Sequence, residues 1–180
     1  MNITNSDPAA IRPLLISSKI PVIKLPDEKG ELFDLNAFLI EKPVILIFYR
    51  GGWCPYCNGY FSELEKVESQ LIELGYQIIA VTPDKLENIN ETRAKWDIKY
   101  KILSDGSCLV ADAFGIAYLN DKHGCLPVPA VYIINKEGVI VFEYINPDFK
   151  QRADPDLILC AARSALRPPK SLLDNLKIKV

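Results

Sequence analysis

The stretch that most constrains this chain begins at Val44. Residues 44–49, Val-Ile-Leu-Ile-Phe-Tyr, form an unbroken apolar run rich in β-branched and aromatic side chains. That is the pattern of a strand buried on both faces. Arg50-Gly-Gly52 ends it, and from Cys57 onward apolar residues recur at Phe61, Leu64, Val67 and Leu71 until Gly75 supplies a helix stop. A doubly buried strand leading straight into a long amphipathic helix is the first part of a βαβ unit. It calls for a sheet with a parallel core, covered by helices.

The remaining chain keeps that rhythm. Residues 77–81 read as a second buried strand, 85–96 as a helix, and 100–103 as a short strand before the turn Ser104-Asp-Gly106. Residues 108–114 read as a short helix closed by Gly115, and 118–129, with His123, Cys125 and two prolines, as a loop. Two strands over 131–135 and 139–144, joined through Lys136-Glu-Gly138, predict an antiparallel hairpin. Asp154-Pro155 caps a last helix running to about 166.

Upstream, Pro8 after Ser6-Asp7 signals a helix whose apolar face is Ile11, Leu14 and Leu15, up to Ile16. Residues 22–25 and 31–33 flank a turn over 26–30 as a small hairpin, and 35–40 adds a turn of helix. The expected fold is α/β, a mixed sheet with a parallel βαβ core and a C-terminal antiparallel hairpin, flanked by helices. It forms one domain with a core over about 20–166, an N-terminal helical extension over 1–19 and a tail over 167–180. Pro168 and Pro169 stop the last helix, and Leu172, Leu173 and Leu176 follow. The tail is either a frayed terminus or an arm packed on the body or on a second copy, so a homodimer is among the expected assemblies.

A chain of 180 residues buries roughly two thirds of the surface its unfolded form exposes and needs no disulfide staples. Its five cysteines therefore need another explanation. A net charge of −2, a pI near 5.5 and the absence of a Lys/Arg block argue against nucleic acid or an anionic membrane as partner. No apolar stretch approaches the about 20 residues of a membrane span. Asn2, Asn5, Ser6, Asp7 and Pro8 interrupt the positions of a secretory signal, so a cytoplasmic location is expected. In a reducing cytosol, an odd cysteine count with one close pair points to redox catalysis or metal binding.

That pair is Cys54 and Cys57, in Trp53-Cys-Pro-Tyr-Cys57. Cys54 falls where a strand has ended and a helix begins, facing unpaired N–H groups and the positive helix end. In such settings thiol pKa values fall to between about 3.5 and 7.5, which makes thiolate the main form at neutral pH. Two intervening residues on a helical turn return Cys57 beneath Cys54, where it can resolve a sulfenic acid or a mixed disulfide. Two other readings stand beside this one. Zinc would need a second Cys-x-x-Cys or a His-x-x-x-His, and His123-Gly-Cys125 is too tightly spaced to serve, so neither metal nor cofactor is expected. A purely structural pair of buried thiols is the other.

With its flanking strand and helix, Phe48-Tyr-Arg-Gly-Gly-Trp-Cys-Pro-Tyr-Cys57 resembles the AhpC/TSA branch of the thioredoxin-like superfamily, the peroxiredoxins and their peroxiredoxin-like relatives. Ser104-Asp-Gly106 with Ala113-Phe-Gly-Ile116 resembles the family's SDxx…AxxFGV segment. Val128-Pro-Ala130 with Lys136-Glu-Gly138 resembles its VPxxFxIDxxG segment, and Asn146-Pro-Asp-Phe-Lys-Gln-Arg152 a segment after the strand. The resemblance implies a thioredoxin-like fold, Cys54 as nucleophile, Cys57 as resolving thiol, and Pro129 as a cis-proline facing the cysteines. With Val128 and Pro129 presenting backbone to substrate, it implies a peroxidase acting on peroxides and regenerated by a thioredoxin- or glutathione-type donor. A protein disulfide oxidoreductase and a redox sensor without turnover are the competing functions.

Family members carry PxxxTxxC, whose Thr and a later Arg bind the peroxide; here Gly51 stands at the Thr position and the later Arg falls at or near Pro129. Arg50 is the first candidate to supply the missing donors, unless it is a strand-end side chain in solvent or paired with a carboxylate. Arg152 is the second, unless Asp148, Asp154 or Asp156 holds it in a surface ion pair. Trp53 and Tyr56 either shield the thiolate and receive a thiol partner or pack on the sheet. Cys108 and Cys160 read as small buried hydrophobes, Cys125 as a candidate second resolving or regulatory thiol, and His123 as a solvated loop residue.

Overall fold

The computed structural model describes residues 3–167. A small antiparallel ribbon, β1 (Lys24–Pro26) and β2 (Leu32–Asp34), leads through Asp34 into α1 (Leu35–Leu39). The Asp34 carboxylate caps α1 by accepting from the Ala37 N–H at 3.0 Å. β3 (Val44–Phe48) then takes the middle of a five-stranded sheet. After α2 (Pro55–Glu73) the chain returns as β4 (Gln77–Thr82), parallel to β3. After α3 (Leu86–Lys95) it adds β5 (Lys101–Ser104), parallel to β4.

Past α4 (Leu109–Ala113), a second ribbon of β6 (Ala117–Asn120) and β7 (Gly124–Pro127) feeds β8 (Ala130–Ile134) on the other side of β3. β8 and β9 (Ile140–Ile145) complete the sheet antiparallel, and α5 (Pro155–Ala165) packs back on α2. The strand order is β5-β4-β3-β8-β9.

The side-chain period of two divides β3 between two cores. Val44, Leu46 and Phe48 pack on one face of the sheet with Phe114 and Tyr132. Ile45, Ile47 and Tyr49 pack on the other, under Phe61, Leu64 and Leu71 of α2 and Ile158 and Leu159 of α5. Each such side chain, taken fully out of water, contributes about 1.5–3 kcal/mol, so this strand and helix stand in a fixed relation. The catalytic candidates sit at the end of that unit.

Three expectations are corrected. The helix over residues 8–16 is only a 3₁₀ turn, Pro8–Ala10, capped by Asp7. Pro13 explains the loss: it has no N–H to donate and drives Arg12 toward the extended region. The segment instead runs extended along the body, the Arg12 and Leu14 N–H groups donating to the Gly115 and Phe114 carbonyls at 3.1 and 3.0 Å. The loop over 118–129 is the β6–β7 ribbon, whose register pairs Tyr118 with Leu126 and Leu119 with Cys125. Pro127 ends β7 at the edge of two strands, one of the few places a sheet admits proline. Cys160, expected in the core, is exposed on α5. The tail residues Leu172, Leu173 and Leu176, read as either a frayed terminus or an arm, lie outside the described residues.

Candidate active site

The site is built on the turn between β3 and α2. The Tyr49 N–H still donates to the Val81 carbonyl at 3.0 Å, and the chain leaves the sheet at Arg50. Gly51 has φ +148°, and a Cβ there would stand 2.4 Å from Trp53 Nε1 and 2.8 Å from Asp84 Oδ1. A Cβ on Gly52 would stand 1.8 Å from Thr92 Oγ1. Only glycines pass through so narrow a space. The turn is tied from both sides. The Gly52 N–H donates to Asp84 Oδ2 at 2.7 Å, and Asn58 Nδ2 donates to the Gly52 carbonyl at 2.9 Å. Burial pushes the Asp84 carboxyl pKa up, although the Gly52 N–H and the Thr82 hydroxyl draw it down.

Cys54 emerges from this turn as the N-cap of α2, with Pro55 in the first turn. Its pKa is lowered from the ordinary thiol value of 9.0 to about 5, chiefly by a hydrogen bond from the Cys57 thiol. The Cys57 backbone N–H and the charges of Arg50 and Arg152 add to this effect against the opposing cost of burial. Cys57 is pushed well up by the same contact with Cys54 and by burial. The two sulfurs thus divide into a thiolate and a proton-holding thiol. Each residue is only 1% exposed.

Arg50 is neither in solvent nor in an ion pair. It is 7% exposed, and its guanidinium carbon lies 5.0 Å from the Trp53 ring and 4.2 Å from that of Phe149. The Tyr118 hydroxyl lies near enough to feel the Arg50 charge, and Arg50 Nε has no partner. Trp53 stacks on His123 at 3.7 Å and 8°, and Tyr56 meets Phe149 edge-on at 5.6 Å. Trp53 and Tyr56 are 42% and 46% exposed, so they form a rim over the cysteines and do not pack on the sheet. Arg152 turns inward. Its Nη2 donates to Cys57 Sγ at 3.2 Å and its Nη1 to the Phe149 and Gln151 carbonyls. The expected surface ion pair with a neighbouring aspartate does not form among the described residues.

A cavity of about 10 Å³, the space of one water molecule, adjoins Cys57 between Tyr60, Pro129, Tyr144 and Arg152. Pro129 faces the site as expected but its peptide bond is trans. The chain passes from β7 into β8 without a sharp turn, and trans is the cheaper isomer. Val128, expected beside it at the substrate, is fully buried in the opposite core with Phe48 and Phe114. Two contributors went unread in the sequence, Phe149 under Arg50 and Tyr118 beside it, and His123, expected as a solvated loop residue, is instead half-buried and stacked on Trp53. A signal for Tyr118 and His123 was present in the Asn120 and Gly124 turn residues between two short apolar runs.

A sequence model described as the AhpC/TSA family matches residues 16–143. This chain belongs to the AhpC/TSA family. It is similar to the "Putative peroxiredoxin bcp" of Coxiella burnetii, 27% identical over 128 residues, which is 69% of this chain and 84% of that one. It is also similar to the chloroplastic peroxiredoxin Q of Sedum lineare, 25% identical over 126 residues, where the match takes in 70% of this chain and 66% of that one. Among solved structures, reduced Prx3 of Vibrio vulnificus in complex with hydrogen peroxide superposes with a TM-score of 0.76 at 17% identity, over 83% of this chain and 99% of that one. The fold is thioredoxin-like, as those structures are. Within this family the chain departs at Gly51: the space where a threonine side chain would begin is taken by Trp53 and Asp84.

Proposed function

We propose that this family member is a thiol peroxidase in which Cys54 is the nucleophile and Cys57 the resolving thiol. The Cys54 thiolate attacks one peroxide oxygen, the O–O bond breaks, and the leaving alkoxide or hydroxide takes a proton, giving Cys54 sulfenic acid and an alcohol or water. The Cys57 thiol then condenses with the sulfenic acid, releasing water and forming the Cys54–Cys57 disulfide. A thioredoxin- or glutathione-type donor reduces it by thiol–disulfide exchange. The observation that carries the reading is a helix-capping Cys54 held as thiolate between Cys57 and two guanidinium groups. Arg50 and Arg152 take the part of the missing threonine and arginine, stabilising charge on the peroxide oxygens. Because both sulfurs are buried, the Trp53 and Tyr56 rim must part to admit the substrate.

The same reading places the chain in the cytoplasm, where such donors keep thiols reduced. It takes residues 20–166 as the catalytic unit and a homodimer as the assembly. Stopped-flow mixing of reduced protein with hydrogen peroxide tests it. Oxidation is expected orders of magnitude faster than for a free thiol and absent in Cys54→Ser; a rate no faster than a free thiol sinks the peroxidase. One observation favours a second reading, a protein disulfide oxidoreductase: the half-exposed aromatic rim above a Cys-Pro-Tyr-Cys pair suits a protein thiol partner. Slow peroxide oxidation with fast reduction of protein disulfides would select it.

A further inference from the structure

The molecule holds a second pair of thiols apart from Cys54 and Cys57. Cys108 caps α4 with φ +53°, a left-handed conformation rare for a non-glycine residue, and is 1% exposed. Cys125 lies on β7, partly buried against the core cluster that contains Cys108. α4 and β7 touch, both cysteines are free, and Cys125 packs on the cluster that buries Cys108, close enough for each thiol to shift the ionisation of the other. One member of the pair is thus sealed and the other reachable, the arrangement of a thiol that meets an oxidant and a neighbour that traps the product.

We propose that Cys108 and Cys125 are a second redox site, which closes to an internal disulfide when Cys125 meets a hydroperoxide. The oxidant class is that of the proposed peroxidase reading, and the inference rests on that reading only for this. The Cys125 thiolate attacks the peroxide, the O–O bond breaks, and Cys125 sulfenic acid and an alcohol or water result. The Cys108 thiol condenses with it, losing water, and a dithiol reductant reverses the bond. The contact with Cys108 holds the Cys125 pKa down, which favours the attacking thiolate, while that contact and burial push Cys108 up. Placement gives the bond a lever. The β6–β7 ribbon that carries Cys125 also carries His123, stacked on Trp53, and Tyr118, whose hydroxyl feels the Arg50 charge. A disulfide would pin this wall of the active site to α4.

The test uses the full chain, wild type and C54S/C57S, fully reduced, freed of reductant and titrated with hydrogen peroxide. Remaining thiols are alkylated and peptides are mapped without reduction. In C54S/C57S the expected result is loss of two of the three remaining thiols. A Cys108–Cys125 peptide lighter by two hydrogens appears, Cys160 stays alkylated, and dithiothreitol reverses the change. C54S/C57S/C108S should yield Cys125 sulfenic acid, trapped by dimedone, and no internal link. The inference is overturned if Cys108 stays alkylated while Cys125 proceeds to sulfinic acid, or if Cys125 links only to Cys160. Wild type reads both pairs as separate peptides and needs no variant to fold. A Cys54 that ignores peroxide therefore counts against the peroxidase alone, and an unlinked Cys108 against this site alone.

Discussion

Replacing Cys57 by alanine removes the group that contributes most to holding Cys54 as a thiolate. With the Cys54 pKa lowered to about 5, thiolate outnumbers thiol roughly a hundred to one at pH 7; at an ordinary thiol value the ratio is about the inverse. A hydrogen bond to a charged group is worth about 1.5–3 kcal/mol, and one pH unit corresponds to about 1.4 kcal/mol. The Cys57→Ala midpoint should therefore rise to about 6–7, with the guanidinium charges and the helix end keeping it below the ordinary range. Ultraviolet thiolate absorbance against pH, read as the difference from a matched Cys54→Ser protein, measures it. Cys57→Ser, which keeps a hydroxyl donor, should retain part of the effect. A wild-type midpoint above about 8, or one that Cys57→Ala leaves in place, refutes the assignment of Cys57 as the donor. Stability follows with a definite sign. The folded pKa lies below the unfolded one, so the thiolate's contribution is fully present above about 8.5 and is lost as pH falls through about 5. The urea midpoint of wild type relative to Cys54→Ser should fall across that window.

Arg50→Met should slow oxidation of Cys54 by peroxide about 10²-fold, the usual cost of losing one transition-state donor, and stopped-flow traces at several pH values separate this from a change in thiolate fraction. Gly51→Thr, which restores the residue type of the family motif, should destabilise the chain by about 1–3 kcal/mol in urea and leave the peroxide rate no higher, since its Cβ would collide with Trp53 and Asp84. A faster enzyme of unchanged stability would show that the turn adapts. Leu64→Ala, between α2 and the sheet, should cost about 2–5 kcal/mol in urea unfolding, with the Cys54 midpoint unchanged in the fraction that stays folded.

The parts of the fold readable from the chain were those whose signal is local. An apolar run at 44–49, a helical repeat from Cys57 to Leu71 and a closing glycine suffice for a β3–α2 unit, because burial of a strand on both faces and of one helix stripe writes itself into residue order. The misread segments turned on proline. At Pro13 it ended a helix that the apolar spacing suggested, and at Pro127 it sat in a strand that composition argued against. Cys160 fell on the outer face of α5 because cysteine, small and weakly polar, carries no directional signal.

Within the site, sequence placed Cys54 at a helix start and Cys57 one turn on, and that alone determined which sulfur caps the helix, since both positions depend on neighbours close in the chain. Tertiary structure decided what surrounds them. Arg50 lies between Trp53 and Phe149, Arg152 reaches Cys57 from ninety-five residues away, and Cys125 packs on the cluster that buries Cys108. Such contacts depend on how the layers stack. Electrostatic and thiol chemistry act over a few ångströms of space, whatever the distance along the chain.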